Sequence, residues 1–151
     1  MADNQKFNAI IDHAINRENE AIKFYQELQG VAALSEKKKL LQNLAKIEEG
    51  HKITLEKIRS KEIGGMTIPE VQNLSISEYL IEVPLNEKMS YQDILIAAMK
   101  REETSNKLYT ELASRCADPD IKKLFRKLAS EEAKHKLKFE EMYDEEILNE
   151  D

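Results

Sequence analysis

Residues 44–58 read LAKIEEGHKITLEKI, and they carry the stripe of an amphipathic helix. With Leu41 just upstream, Leu44, Leu55 and Ile58 fall at alternating steps of three and four on one face. The positions that complete the stripe are Glu48 and His51. A carboxylate and an imidazole therefore stand where a helix facing a core would carry leucine.

The same oddity is written twice. Sliding the chain against itself by 84 residues aligns 10–56 with 94–140 without a gap, and 18 of the 47 positions are identical. Unrelated helical segments of this composition would share a handful. AINREN and FYQEL in the first copy answer to AMKREE and LYTEL in the second, and LLQNLAKIEEGHK answers to LFRKLASEEAKHK. Such self-similarity marks an internal duplication, here of a helical hairpin.

Each copy resolves into two helices. The first helix is expected from about Phe7 to Gln29, with Gly30 as its stop, and the second from an N-cap at Ser35 to just before Gly64-Gly65. In the second copy Ser90 and Asp93 have capping-box spacing, and Asp118-Pro119 places a cap before a proline at the first helical position. Beyond about Tyr143 the apolar pattern thins, and the tail DEEILNED is expected to fray. Between the copies, GGMTIPEVQNLSISEYLIEVPLNEKMS is too long for an ordinary helix–helix turn, and SISEYLI within it is expected to form a short helix. A connection of that length can travel the height of a bundle and leave helices two and three parallel. The expectation is an all-α single domain over residues 1–151, a four-helix bundle. Hairpin one runs over about 7–63, a crossover over about 64–89 and hairpin two over about 90–143.

Composition narrows the function. Four glycines and three prolines in 151 residues suit long helices, and a net charge of −6 offers no footprint for nucleic acid or an anionic membrane. No apolar run is long enough to span a bilayer, and MADNQKFN lacks a secretory pattern. One cysteine, Cys116, excludes an internal disulfide and any Cys-x-x-Cys site. A cytoplasmic protein fits best, although a mature sequence that had shed a signal would look the same.

The four seams hold the chemistry. Helix one contributes Ile11, Ala14, Glu18, Ala21, Tyr25 and Leu28, and helix three contributes Leu95, Ala98, Glu102, Ser105, Tyr109 and Leu112. Helix two gives Leu41, Leu44, Glu48, His51, Leu55 and Ile58; helix four gives Phe125, Leu128, Glu132, His135, Phe139 and Met142. Four ionised carboxylates in one core would each lose hydration worth several kcal/mol and would repel one another. No seam position holds Lys or Arg. Two divalent ions would balance the four charges, with two neutral imidazoles completing the coordination. Residues three apart share a helix face, so each Glu-x-x-His aims both ligands at one point. One such pair on a glutamate-rich helix arises easily by chance. Two, in register with two further glutamates and all on apolar seams, match the ligand pattern of carboxylate-bridged di-iron and di-manganese bundles. Oxygen-rich donors with one imidazole per ion suit iron or manganese, structural zinc would favour thiolates, and the order His-Glu-x-x-His of zinc proteases is absent.

With these residues in hand, about residues 8–143 resemble the ferritin-like di-iron superfamily, and the rubrerythrin group above all. The resemblance implies terminal carboxylate ligands at Glu18 and Glu102, bridging carboxylates at Glu48 and Glu132, and terminal nitrogen ligands at His51 and His135. Tyr25 and Tyr109 match tyrosines that hydrogen-bond to ligand carboxylates in that family, and plain core packing with a satisfied hydroxyl accounts for them equally well. Two departures stand out. Typical rubrerythrins carry a rubredoxin-like iron site of four cysteines, which Cys116 alone cannot build. They also use an additional glutamate on helix three at the place where this chain has Ser105, which counts against a fast peroxidase.

The resemblance implies two iron ions, with manganese as the alternative, and redox chemistry with peroxide or dioxygen, an oxidative-stress activity. Turnover would then call on an external electron donor such as a rubredoxin or a reductase. The alternatives are an iron-binding or ferroxidase-like protein without turnover, and a bundle whose metal serves only to hold it together. A homodimer is allowed by resemblance only. Glu49, Glu103 and Glu131 adjoin the candidate ligands but fall off the seams and are expected to be solvated. His13 falls on the outer face of helix one, Cys116 at the end of helix three, and Arg17 and Arg101 are expected to form surface ion pairs.

Overall fold

A computed structural model describes residues 2–60 and 90–149. The expected crossover over 64–89, its SISEYLI helix, the stop at Gly64-Gly65 and the last two residues lie outside that range. The described residues form four α-helices and one 3-10 helix: α1 (Ala2–Leu28), the 3-10 helix (Ala32–Lys37), α2 (Lys38–Ser60), α3 (Tyr91–Arg115) and α4 (Pro119–Asn149). α1 packs on α2 and α3 on α4, which makes the two hairpins read from the duplication.

The ends of the helices follow local chemistry. α1 stops at Leu28, and Gly30 sits in the turn, its N–H donating to Glu27 O at 3.1 Å and that of Val31 to Leu28 O at 3.0 Å. Ser35 does not cap α2. It lies inside the 3-10 helix, whose N-cap is Val31, because that extra turn carries Leu34 into the core at 1% exposure. Ser90 and Asp93 form the capping box: Ser90 Oγ accepts from the Asp93 N–H at 3.1 Å, and Asp93 Oδ2 accepts from the Ser90 N–H at 3.3 Å. Asp118 Oδ1 accepts from the N–H groups of Asp120 and Ile121 at 2.9 and 3.2 Å, and Pro119 opens α4. α4 continues to Asn149 instead of fraying at Tyr143, with Leu148 left largely exposed.

The core is split into two apolar layers. One gathers Phe7, Ile11 and Ala14 of α1, Leu55 and Ile58 of α2, Leu108 and Leu112 of α3, and Ile121 and Phe125 of α4. The other gathers Phe24 and Leu28 of α1, Leu41 and Leu44 of α2, Ile94 and Leu95 of α3, and Phe139 and Met142 of α4. The start of α2 thus shares a layer with the start of α3, and their ends share the opposite layer, so the two helices run parallel. Burying each large apolar side chain in these layers contributes about 1.5–3 kcal/mol. Midway along every helix the seam turns polar, and those polar residues fill the space between the layers. Among the described residues no helix is long and apolar enough to cross a membrane.

Candidate metal centre

All six seam residues meet in that middle layer. Glu18, Glu48, His51, Glu102, Glu132 and His135 are each at most 5% exposed. The i, i+3 spacing on α2 and α4 brings each imidazole alongside the carboxylate of its own helix. His51 Nδ1 lies 2.8 Å from Glu132 Oε1, 3.7 Å from Glu18 Oε1 and 3.9 Å from Glu48 Oε1. His135 Nδ1 lies 3.1 Å from Glu48 Oε1 and 3.4 Å from Glu102 Oε2. The two rings stand nearly parallel, 6.4 Å apart.

Two overlapping ligand sets result. Glu18, Glu48, His51 and Glu132 offer one donor atom each within 4.8 Å of one another, and so do Glu48, Glu102, Glu132 and His135. Glu48 and Glu132 belong to both sets, and they are the pair for which the family resemblance implies bridging. Each of the six residues also keeps one buried polar atom without a well-aligned hydrogen bond: Glu18 Oε2, Glu48 Oε1, His51 Nδ1, Glu102 Oε2, Glu132 Oε1 and His135 Nδ1, four of which only face one another, His51 with Glu132 and His135 with Glu48. Buried polar atoms nearly always have well-formed hydrogen bonds, so six that lack one and converge at one place are what a site for cations presents. Four carboxylates and two imidazoles form a donor set that fits a pair of iron or manganese ions.

The tyrosines support this layer from across the bundle. Tyr25 of α1 donates to Glu102 Oε1 of α3, and Tyr109 of α3 donates to Glu18 Oε1 of α1. Each ring stacks on a core phenylalanine, Tyr25 on Phe139 and Tyr109 on Phe125. Packing and hydrogen bonding, posed by the sequence as alternatives, are both present.

Electrostatics without metal show the strain of this arrangement. Burial, reinforced by neighbouring Glu48, pushes the Glu18 carboxyl up to about 8. Burial pushes Glu102 up to about 8 as well. Glu48 and Glu132 are raised by burial and by carboxylate repulsion, Glu132 strongly. Burial pulls His51 down, but Glu132 and Glu18 outweigh it and hold the imidazole up to about 12. The metal-free centre therefore keeps protons where cations would otherwise sit.

The residues set aside by the sequence sort differently. Glu49 is exposed, as expected, and Glu103 is half-buried near Lys107 and Lys136. Glu131 departs from expectation: it reaches from α4 to His51 Nε2 on α2. Arg17 is no surface residue at 7% exposure; its Nη2 lies 3.5 Å from Arg101 O and from Ser105 Oγ, in room left by that short side chain between α1 and α3. Its charge offsets part of the rise at Glu102. Arg101 lies over the Phe24 ring at 4.7 Å. His13 is half-buried outside the cluster, and Cys116 is buried at the end of α3 with its thiol pushed up by burial. For Glu131 a signal was present in the sequence, since the 84-residue offset pairs it with an isoleucine. For Arg17 none was, because its burial depends on the neighbouring hairpin.

Comparison with known proteins bears on the second hairpin most directly. The Rubrerythrin family matches residues 93–151, a span that holds Glu102, Glu132 and His135. The other three candidate ligands fall in the first hairpin and are tied to that match by the internal duplication. Among solved structures, a hypothetical protein from Pyrococcus furiosus is similar at 26% identity, over 91% of this chain and 88% of that one, with a TM-score of 0.68. No curated protein matches.

Proposed function

We propose that this rubrerythrin-like, ferritin-like helical bundle holds two metal ions, iron or manganese, and uses them for redox chemistry with peroxide or dioxygen. The observation that carries the reading is the pair of overlapping, buried four-donor sets that share Glu48 and Glu132. When bound, a pair of redox-active ions supplies two electrons together, as two-electron reduction of an oxygen–oxygen bond requires.

The chain's own residues would do the rest. Glu48 and Glu132 would bridge, Glu18 and Glu102 would close the two ends, and His51 and His135 would each offer Nδ1. Tyr25 and Tyr109 fix the rotation of the end carboxylates from the opposite hairpin, which keeps those groups aimed inward. Apolar layers above and below keep bulk water from the cluster. A groove of about 290 Å³ lined by Gly50, His51, Thr54, Leu124 and Glu131 lies against the His51 side of the cluster. Turnover would draw electrons from an external donor, a rubredoxin or a reductase.

Ser105 favours a second reading. The helix-three place where rubrerythrins carry a further glutamate holds a hydroxyl beside Arg17, which suits iron binding with a single stoichiometric oxidation. One experiment separates the two. Protein reduced anaerobically with iron is mixed with peroxide and a continuous electron supply. Many cycles of reoxidation support the enzyme, one cycle supports iron handling, and failure to take up iron or manganese contradicts both.

A further inference from the structure

The internal duplication breaks at one place that touches the centre. At the 84-residue offset Glu48 answers to Glu132 and His51 to His135, but Glu131 answers to Ile47. Glu131 reaches over from α4 and accepts from His51 Nε2, while His51 Nδ1 faces Glu18, Glu48 and Glu132. Beside His135 the matching position is apolar, and Ile47 and His135 line the same groove between α2 and α4. Among the described residues no carboxylate approaches His135 Nε2 within ion-pair distance; its contacts with Glu48 and Glu102 are both through Nδ1.

An imidazole that coordinates through Nδ1 carries its proton on Nε2. A carboxylate accepting that proton fixes the tautomer and the ring orientation and makes Nδ1 the stronger donor. From this geometry we propose that Glu131 is a positioning residue that makes the two metal positions unequal. The position formed by Glu18, Glu48, His51 and Glu132 is the tighter and fills first, and the one formed by Glu48, Glu102, Glu132 and His135 fills second. This assignment rests on the dinuclear reading above. Losing such a partner typically lowers metal affinity about 10–100-fold.

Cobalt(II) titration of metal-free protein, followed by visible absorption, tests it. Wild type is expected to bind two ions in two resolved steps. Glu131→Ile, which restores the symmetry of the repeat, should weaken the first step about 10–100-fold and merge the two. Glu131→Gln, which keeps the shape but not the charge, should fall between. Ile47→Glu, which gives His135 its own carboxylate, should tighten the second step, and Glu49→Gln should leave both unchanged. Circular dichroism of each variant reports whether the bundle is intact, and if one misfolds, Glu131→Gln still decides. Two steps unaltered in Glu131→Gln or Glu131→Ile, with wild type binding two ions, overturn this assignment alone. Wild type binding no cobalt overturns it together with the dinuclear reading.

Discussion

At the scale of the residue, the centre is a problem of charge confined away from water. Four glutamates at 1–2% exposure cannot all ionise side by side without a counter-charge. Replacing Glu48 or Glu132 with Ala should therefore abolish binding of both ions, since each belongs to both donor sets. Glu49→Ala should leave two per chain, and elemental analysis of the purified variants reads the difference. Tyr109→Phe should keep two ions but weaken the Glu18 end about 10-fold, measured by competition with a chelator. The six donors were legible in the sequence because duplication repeated them in register on apolar stripes. Glu131 and Arg17 were not assigned correctly, because seam register says which side of its own helix a residue occupies. It does not say how far a long side chain reaches along a neighbouring helix.

At the scale of the element, sequence signals worked where a cap is a local interaction and failed where tertiary packing took over. The Ser90–Asp93 box and the Asp118-Pro119 start are formed within a few residues of chain and were readable as such. Ser35 had the right chemistry for a cap, but burial of Leu34 recruited the preceding residues into a 3-10 turn. Gly50 gives a sharper test of local propensity. It sits inside α2, exposed, and a Cβ there would meet nothing within 4 Å. Gly50→Ala should stabilise the bundle by about 0.5–1 kcal/mol in denaturant unfolding. Asp118→Ala should cost about 1 kcal/mol, since two N–H groups at the start of α4 lose their acceptor.

At the scale of the whole molecule, folding and metal binding are linked through protons. Glu18 and Glu102 lie near 8 in the folded metal-free chain against 4.5 for free carboxyls, so the folded state binds more protons between those values. Their contribution to stability is full below about 4.5 and is lost as pH rises to about 8. His51, held near 12 against 6.5, loses its contribution on the same side, as pH rises above 6.5. Metal-free protein should therefore melt at a lower temperature at pH 8 than at pH 5, by calorimetry. Loading the ions should reverse the order, because ions and protons compete for the same atoms. The four seams were readable from the repeat and the parallel course of α2 and α3 from the length of the link between the copies, while the reach of Glu131 to His51 emerged only once the hairpins were packed together.

Diffraction from crystals of the iron- or manganese-loaded protein, measured across the metal's absorption edge, puts the central claim to its most direct test. The account predicts two anomalous peaks per chain in the layer between the apolar clusters, both flanked by Glu48 and Glu132, one beside His51 and the other beside His135. Anomalous density confined to surface carboxylates, with none among those six side chains, would contradict it.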